Sequence, residues 1–167
     1  MSRRRKPDAR TPGARTGARF CAVQALFQME AAGHDAERVV AEFLAHRIGA
    51  TGEDAGPSEV DAPFFAQLVD AAVNWQARID QATDRALIAR WPLGRIDPVL
   101  RAIFRAAGAE IVLRAAPLEV TLAEFVMLAR SFCGDRPETG LVNAVLEHMA
   151  PELRADTAPD TPPPAEG

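Results

Sequence analysis

Residues 97–116, DPVLRAIFRAAGAEIVLRAA, are the longest segment of the chain that combines a helical pattern with a clear beginning. Asp97 can accept hydrogen bonds from the first free backbone N–H groups of a helix, and Pro98 suits the first helical position, where no N–H is needed. Apolar side chains then recur every three or four residues and form a stripe along one helix face. This stripe consists of Leu100, Ile103, Phe104, Ala107 and Ile111.

The remaining circumference of this segment is also largely apolar, and only Arg101, Arg105 and Arg114 require solvent. A helix of this kind is packed on several sides, so we expect it to be the central helix of the fold. Gly108 in its middle costs about 1 kcal/mol relative to alanine. The close crossing of another helix would explain this glycine, and simple tolerance of the loss is the alternative.

Six further segments repeat the helical spacing of apolar residues. The first expected helix is 17–32, closed by Gly33, and the second is capped by Asp35 and ends before Gly49. Two consecutive helices follow: the first begins at Asp61, they meet near 74–77, and the second ends before Trp91. The last two are 122–132 and a helix that begins at Leu141 and ends at Pro151. Thr121 and Glu124 have the spacing of a capping box at the start of the 122–132 helix.

No segment of strand length alternates between apolar and polar residues, and there is no heptad pattern or internal repeat. The sequence therefore predicts an all-α single domain of seven helices, covering residues 17–152. Residues 1–16 and the Pro-rich residues 153–167 contain few large apolar side chains, so both are expected to be disordered. We call residues 1–16 the basic arm.

Charge is distributed unevenly along the chain. Residues 1–19 carry seven basic side chains and one acidic one, a net charge of +6, and the whole chain has −4, which leaves −10 for the rest. A basic arm on an acidic body is common in proteins that bind nucleic acid, because clustered guanidinium groups release counterions from phosphates. A solvated tail without a ligand is the alternative interpretation.

The residues that could carry catalysis are scattered. The three histidines lie far apart, no HExxH motif or Ser/His/Asp order is present, and no glycine pattern indicates a nucleotide-binding loop. Cys21 and Cys133 are too few for a zinc site or a disulfide framework, and their apolar neighbours are typical of buried thiols. We therefore expect no enzymatic activity, no cofactor and no metal ion.

Membrane insertion and export also lack support in the sequence. No run of about 18 apolar residues is present, and no apolar segment follows the basic start as it would in a signal peptide. The sequence therefore predicts a soluble, cytoplasmic protein.

Three blocks of sequence together resemble the NusB family of transcription antitermination factors. They are CAVQALFQME at 21–30, AIFRAAGAE at 102–110, and VTLAEFVMLARSF at 120–132 followed by LVNAVLEHMA at 141–150. Their order and spacing match the family over roughly residues 15–152. The resemblance implies a fold of two helical subdomains within the seven-helix body.

The same resemblance implies a function and partners. Members are expected to bind boxA-type RNA, which is single-stranded, together with NusE, a small-subunit ribosomal protein. They support antitermination in ribosomal RNA operons, in indirect contact with other elongation factors and RNA polymerase. No membrane partner is implied.

Candidate RNA contacts follow from the resemblance and from the charge of the arm. They are Arg3, Arg4, Arg5, Lys6, Arg10, Arg15, Arg19, Arg130, Thr139, Leu141 and Asn143. Arg15 and Arg19 match basic residues of the family's arginine-rich start, but Thr16 and Gly17 stand where further arginines are often found. Near the C-terminus, Gly140 and Leu141 replace the family's usual Lys and Phe.

Two other functions fit parts of the same sequence. NusB-like domains also form the RNA-recognition part of some ribosomal RNA cytosine methyltransferases, although no glycine-rich strand-turn-helix for a methyl donor is found in this sequence. A helical adaptor that binds only proteins is the third possibility. RNA binding by the isolated protein distinguishes the adaptor from the first function.

Overall fold

The computed structural model describes residues 12–49, 56–87 and 95–157, and within these ranges the chain forms seven α-helices and no strand. The helices are α1 (Pro12–Ala32), α2 (Ala36–His46), α3 (Ala62–Asn74), α4 (Gln76–Leu87), α5 (Pro98–Leu113), α6 (Leu118–Cys133) and α7 (Leu141–Asp156). A short 3-10 helix, Pro137–Gly140, leads into α7. The all-α prediction is confirmed.

Helix α5 lies at the centre of the molecule and packs against α1, α3, α4, α6 and α7. It begins as predicted, because an Asp97 carboxylate oxygen accepts a hydrogen bond of 2.8 Å from the Val99 N–H. Gly108 is buried where α5 crosses α4, and the Cβ of any larger residue there would lie 2.6 Å from Cγ2 of Ile79. The close helix crossing thus explains this glycine.

The predicted beginnings of α2 and α3 are confirmed, and α2 ends at His46, a little before the predicted end at Gly49. The carboxylates of Asp35 and Asp61 accept hydrogen bonds from the third residue that follows each of them, at 2.8 and 3.0 Å. Gly33 follows the last residue of α1, and Gly49 lies shortly after the end of α2. Their φ values of 66° and 84° are backbone angles that residues with a side chain rarely adopt. Trp75 separates α3 from α4, within the predicted junction. The predicted end of α4 before Trp91 lies outside the described residues.

The expected disorder of residues 12–16 is wrong, because α1 begins at Pro12. The Ala14 carbonyl accepts a 2.8 Å hydrogen bond from the Asp61 N–H, and the segment 57–59 lies across α1. This segment passes so close to Gly17 that any Cβ there would collide with the Glu59 carbonyl oxygen. Tertiary contacts therefore order a turn that its own composition does not favour, and the basic arm is shortened to residues 1–11.

The predicted capping box at the start of α6 is also wrong. Helix α6 begins at Leu118, so Thr121 lies within it and is buried, and no side chain caps its first turn. Glu124 instead accepts a 2.9 Å hydrogen bond from the Thr16 hydroxyl of α1. The capping signal is local, and contacts between helices override it here.

Helix α7 continues past Pro151 to Asp156, although its predicted end was Pro151. Leu153 is buried with 1 % exposure, and Arg114 donates hydrogen bonds to the carbonyls of Arg154 and Thr157, at 2.9 and 3.0 Å. Arg114 has a left-handed backbone with φ of 51°, and it closes α5 while its guanidinium satisfies the end of α7. The folded domain therefore extends to residue 157 instead of 152.

Two of the three arginines that were expected to require solvent, Arg101 and Arg105, are partly buried in ion pairs. Arg105 makes two hydrogen bonds to Asp80 of α4, at 3.0 and 2.8 Å. Arg101 pairs with Glu30 of α1. Each pair links α5 to a neighbouring helix, which explains why charged residues occur on so enclosed a helix.

Both cysteines are free thiols. Cys21 is buried, and burial raises its pKa to about 11, against a smaller opposing effect of the Arg47 charge. Cys133 is half-buried, and burial raises its pKa as well. Within the described ranges, no three His, Cys, Asp or Glu residues are grouped to hold a metal ion, and no helix is long and apolar enough to cross a membrane.

Replacement of Gly108 by alanine tests the α4–α5 crossing. The added methyl group collides with buried Ile79, and overpacking of this kind costs about 1–3 kcal/mol, whereas alanine gains up to about 1 kcal/mol in helix propensity. We expect a net loss of free energy of unfolding in urea denaturation. Gly140→Ala is the matched control, because Gly140 has φ of −65° and open space around it, and it should be neutral or stabilising.

Truncation tests the extended end of α7. A chain that ends after residue 157 should keep its melting temperature, because residues 158–167 contain no large apolar side chain. A chain that ends after residue 152 loses buried Leu153, which contributes about 1.5–3 kcal/mol, and both carbonyl partners of Arg114. Equal melting temperatures for the two chains would contradict the structural role of residues 153–157.

Candidate RNA-binding surface

A polar groove of about 270 Å³ lies between α6, the following turn and the start of α7. Its lining consists of Val126, Arg130, Asp135, Arg136, Thr139, Gly140 and Asn143. Three residues that the sequence identified as candidate contacts, Arg130, Thr139 and Asn143, therefore meet at one place although they belong to three structural elements. We call this site the polar groove.

The three candidate residues of the polar groove differ in how accessible their side chains are to RNA. Arg130 is exposed, and its guanidinium has no hydrogen-bond or ion-pair partner among the described residues. Asn143 is exposed and donates a 3.3 Å hydrogen bond to Glu147. Thr139 is only 6 % exposed and donates its hydroxyl to the Gly134 carbonyl at 2.9 Å, so it shapes the turn and is not a direct contact.

Leu141 lies beside the polar groove and lines a separate apolar pocket of about 130 Å³. Leu100 and Phe104 of α5 form part of its wall, and Leu141 itself is 38 % exposed. Arg136 lines both the pocket and the polar groove, and it pairs with Asp97 at 3.5 Å. An apolar surface next to guanidinium groups suits an unstacked base and its phosphate.

Sequence reasoning missed Arg136. It lies in the turn between α6 and α7, and its sequence neighbours form no pattern that distinguishes it from a solvated surface residue. Only the packing of this turn against the start of α5 brings Arg136 between the pocket and the polar groove.

Arg15 is half-buried on the first turns of α1. Its Nη1 donates a 2.8 Å hydrogen bond to the Ala115 carbonyl, and its guanidinium carbon lies 4.1 Å from the centre of the Phe64 ring. The side chain is therefore fixed by the protein, and only part of its surface remains for a ligand.

Arg19, the other candidate on α1, is not available to RNA in this structure. Its side chain is 3 % exposed, and its Nε donates a 2.7 Å hydrogen bond to an oxygen of fully buried Glu110. The expectation of a phosphate contact at Arg19 is corrected for this reason. The five basic candidates upstream, Arg3, Arg4, Arg5, Lys6 and Arg10, lie outside the described residues.

A shallow groove runs from the start of α1 along α6. It has a volume of about 360 Å³ and is lined by Gly13, Thr16, Gly17, Phe20, Pro57, Ser58, Glu59, Met127, Leu128 and Ser131. We call it the connecting groove; it borders α6 through Ser131, and the polar groove borders the same helix through Arg130.

A third groove, of about 410 Å³, lies between α1, the end of α2, the start of α5 and the end of α6. Its lining is Val23, Gln24, Phe27, Gln28, Ala31, Arg47, Val99 and Phe132. Phe27 is 38 % exposed although it is a large aromatic residue. We call this site the Phe27 groove. Sequence reasoning did not indicate it, because the spacing of Phe27 on α1 is that of a buried residue.

The sequence of the chain matches one known protein family over most of its length. The model of the NusB family matches residues 16–151. The chain belongs to the NusB family. Among its relatives, a NusB of Bradyrhizobium sp. (strain BTAi1) is 43% identical over 143 residues, which cover 85% of this chain and 84% of the relative. A NusB of Rhodopseudomonas palustris (strain BisB5) is 40% identical, with 91% and 95% covered.

Solved structures of NusB proteins have the same fold. The T. maritima NusB has a TM-score of 0.66 and 24% identity, with 85% of this chain and 92% of that chain covered. A NusB solved with NusE and double-stranded RNA has a TM-score of 0.69 and 20% identity, with 85% and 99% covered. The fold class predicted from the sequence is thus confirmed.

The family assignment also defines the general activity. The relatives are named transcription antitermination proteins, and NusB-family proteins are non-catalytic transcription factors. The predicted lack of enzymatic activity is confirmed for the family. The relatives are matched over most of their own length, so nothing favours the methyltransferase alternative.

Alanine substitutions at two arginines test the contrast between an exposed and a buried candidate. Arg130→Ala should leave stability unchanged. It should reduce the slope of the logarithm of the RNA-binding constant against the logarithm of salt concentration by about 0.7, the value for one phosphate contact on single-stranded RNA. Arg19→Ala should lower the free energy of unfolding by about 3–5 kcal/mol, because it leaves Glu110 buried and unpaired. Urea denaturation and RNA titration at several salt concentrations measure both effects, and a strongly destabilised Arg130→Ala protein would contradict the assignment.

Proposed function

We propose that this NusB-family protein binds boxA-like single-stranded RNA together with NusE and thereby supports transcription of ribosomal RNA operons. The observation that carries the proposal is that the polar groove, where Arg130 is exposed, and the connecting groove at the start of α1 both border α6. A NusB of the same fold was solved with NusE and RNA, which supports both partners.

The RNA contacts are of two kinds. Arg130 and Arg136 contact phosphates at the polar groove, and Asn143 supplies an amide that can bind a base edge or a phosphate. Leu141 and its apolar pocket receive a base that has left the stack. Because Leu141 has no aromatic ring, this base contact is weaker than stacking on phenylalanine.

The basic arm provides most of the positive charge for RNA binding. Residues 1–11 contain Arg3, Arg4, Arg5, Lys6 and Arg10 against one aspartate, whereas the body of the protein is acidic. An acidic body repels the phosphate backbone over a long path, so the isolated protein holds only a short length of RNA and releases it readily in salt. High affinity and specificity therefore require a partner.

NusE docks on the Phe27 groove. An exposed aromatic side chain next to further apolar residues is typical of a protein interface, and such residues contribute much of the binding energy. Gln24 and Arg47 at the same groove supply hydrogen-bond donors for a polar rim. The volume of this groove exceeds the volumes of both the connecting groove and the polar groove.

Other elongation factors and RNA polymerase are contacted indirectly, through the RNA and NusE. Because the protein acts on RNA while RNA polymerase transcribes it, and bacterial transcription takes place in the cytoplasm, the protein acts in the cytoplasm. A protein-binding adaptor is the second candidate, and the exposed Phe27 favours it independently of RNA.

A titration of boxA-like RNA with and without NusE tests the proposal, with a scrambled RNA as control. NusE should tighten RNA binding, and RNA must tighten NusE binding by the same factor, equivalent to about 1–3 kcal/mol. Phe27→Ala should abolish the effect of NusE, while Leu44→Ala, a control at a similarly exposed apolar residue that does not line the groove, should not.

Two outcomes would contradict the proposal in different ways. Binding of NusE without any binding of RNA would identify an adaptor. Tight, specific RNA binding on which NusE has no influence would identify a stand-alone RNA-binding protein.

A further inference from the structure

The pocket beside Leu141 has an apolar interior. Leu100 and Phe104 of α5, which are 5% and 2% exposed, form part of its wall. Its volume is about 130 Å³, whereas a single water needs at least about 10–15 Å³, so a group much larger than one water fits. An apolar wall makes the burial of a charged group costly. The pocket therefore suits an uncharged ring, such as a nucleobase, better than a phosphate.

Charged side chains also line this pocket, and Asp97, Arg136 and Glu138 are among them. Their effects meet at Cys133, another lining residue. Burial raises the pKa of the Cys133 thiol. The charges of Asp97 and Glu138 raise this pKa as well, and the charge of Arg136 lowers it. The two carboxylates and the guanidinium therefore lie near the same part of the pocket wall.

Glu138 differs from Asp97 because its carboxylate is not engaged. One oxygen of Asp97 accepts the Val99 N–H at 2.8 Å, and the other lies 3.5 Å from Nη1 of Arg136. Glu138 is half-buried, and its carboxylate has no hydrogen-bond or ion-pair partner among the described residues. Its oxygens can therefore accept hydrogen bonds from a ligand in the pocket.

A carboxylate at this place opposes RNA binding unless it contacts a base. Its negative charge repels the phosphates that Arg130 and Arg136 bind. An ionised carboxylate can only accept hydrogen bonds, and in complexes with nucleic acids glutamate and aspartate accept them from the amino group of cytosine. The base edge that suits Glu138 therefore carries an N–H donor.

The four RNA bases differ in the donors that they present. Cytosine, adenine and guanine each have an exocyclic amino group, whose N–H donors stand at the edge of the ring. Uracil has carbonyl oxygens instead, and its single ring N–H lies between two of them, so an approaching carboxylate meets an acceptor on either side. These edges become accessible to protein side chains when a base leaves the stack. A carboxylate in the pocket thus disfavours uracil.

We propose that Glu138 is a specificity-determining residue that accepts a hydrogen bond from the exocyclic amino group of an unstacked base whose ring lies against Leu141. The pocket then selects an amino-bearing base and rejects uracil. This inference rests on the proposed RNA-binding function and deepens it, because it assigns a base preference to one position of the RNA. Arg136, which also lines the polar groove, binds the neighbouring phosphate.

The experiment exchanges amino groups in the RNA and removes the acceptor in the full-length protein. Each cytosine of a boxA-like RNA is replaced in turn by uracil, and each adenine and guanine by hypoxanthine, so that one amino group is lost and the ring size is kept. Glu138→Gln preserves the size of the side chain, but its amide can donate to a carbonyl as well as accept. Titrations are made in the presence of NusE, and urea denaturation checks the stability of each variant.

Asp135→Asn is the matched control. Asp135 belongs to the same turn, but it lines the polar groove and not this pocket. Both substitutions remove one negative charge beside the phosphate contacts, so both should strengthen RNA binding in general. Only Glu138→Gln should change the discrimination between bases.

In the unmodified protein, exchange at one RNA position should weaken binding about tenfold, as is typical of one mismatched base. With Glu138→Gln the same exchange should weaken binding less than about threefold, because an amide can face a carbonyl group and a carboxylate cannot. Asp135→Asn should keep the tenfold discrimination. Equal discrimination by the unmodified protein and Glu138→Gln, or its loss in both variants, would overturn the proposal.

Alkylation of Cys133 locates the base independently. Cys133 lines the pocket and is half-buried, whereas Cys21 is 3% exposed and its pKa is raised to about 11. Iodoacetamide should therefore modify Cys133 first. Saturating boxA-like RNA should slow this reaction, and scrambled RNA at the same concentration should slow it less. An unchanged rate under saturating RNA would place the base elsewhere and overturn the proposal.

Failure of the proposed function has a different signature. The unmodified protein would then bind boxA-like RNA and scrambled RNA equally well. If the preference for boxA-like RNA remains and no exchange of an amino group affects it, only the role of Glu138 is overturned.

Discussion

The enclosure of α5 by five other helices is the constraint on which the rest of the molecule depends. A helix in this position has little surface left for water, so its polar groups must find partners within the protein. Glu110 meets Arg19, Arg105 meets Asp80, and Arg101 meets Glu30. These pairs join α5 to two of its neighbours, α1 and α4.

The elements that the sequence predicted correctly are those determined locally. Asp35, Asp61 and Asp97 cap the helices that follow them, since the capping bonds join residues two or three positions apart. The prediction failed at the beginning of α1, the beginning of α6 and the end of α7, where distant residues supply the missing contacts. The capping-box spacing of Thr121 and Glu124 is real, but the carboxylate of Glu124 binds side chains of α1 instead.

The candidate site was predictable only where the family resemblance provided information. Arg130 and Asn143, which the sequence analysis named as candidate contacts in separate segments, lie at one groove. Arg19 looked like a surface arginine at the end of an amphipathic helix, yet the sequence contained a sign of its burial. Glu110 is a carboxylate in the middle of an otherwise apolar segment, and a buried carboxylate requires a cation. Phe27 could not be recognised, because helical spacing does not reveal which apolar residues remain uncovered.

The passage of segment 57–59 across α1 links two regions of the chain that are far apart in sequence. At Gly17 the backbone of this segment leaves no room for a side chain, although this is where arginines often occur in the NusB family. The α2–α3 connection and the residue at position 17 can therefore change only together. An arginine brought into this position from a relative requires that relative's connection as well, and a chain that keeps its own connection must carry that positive charge at another position.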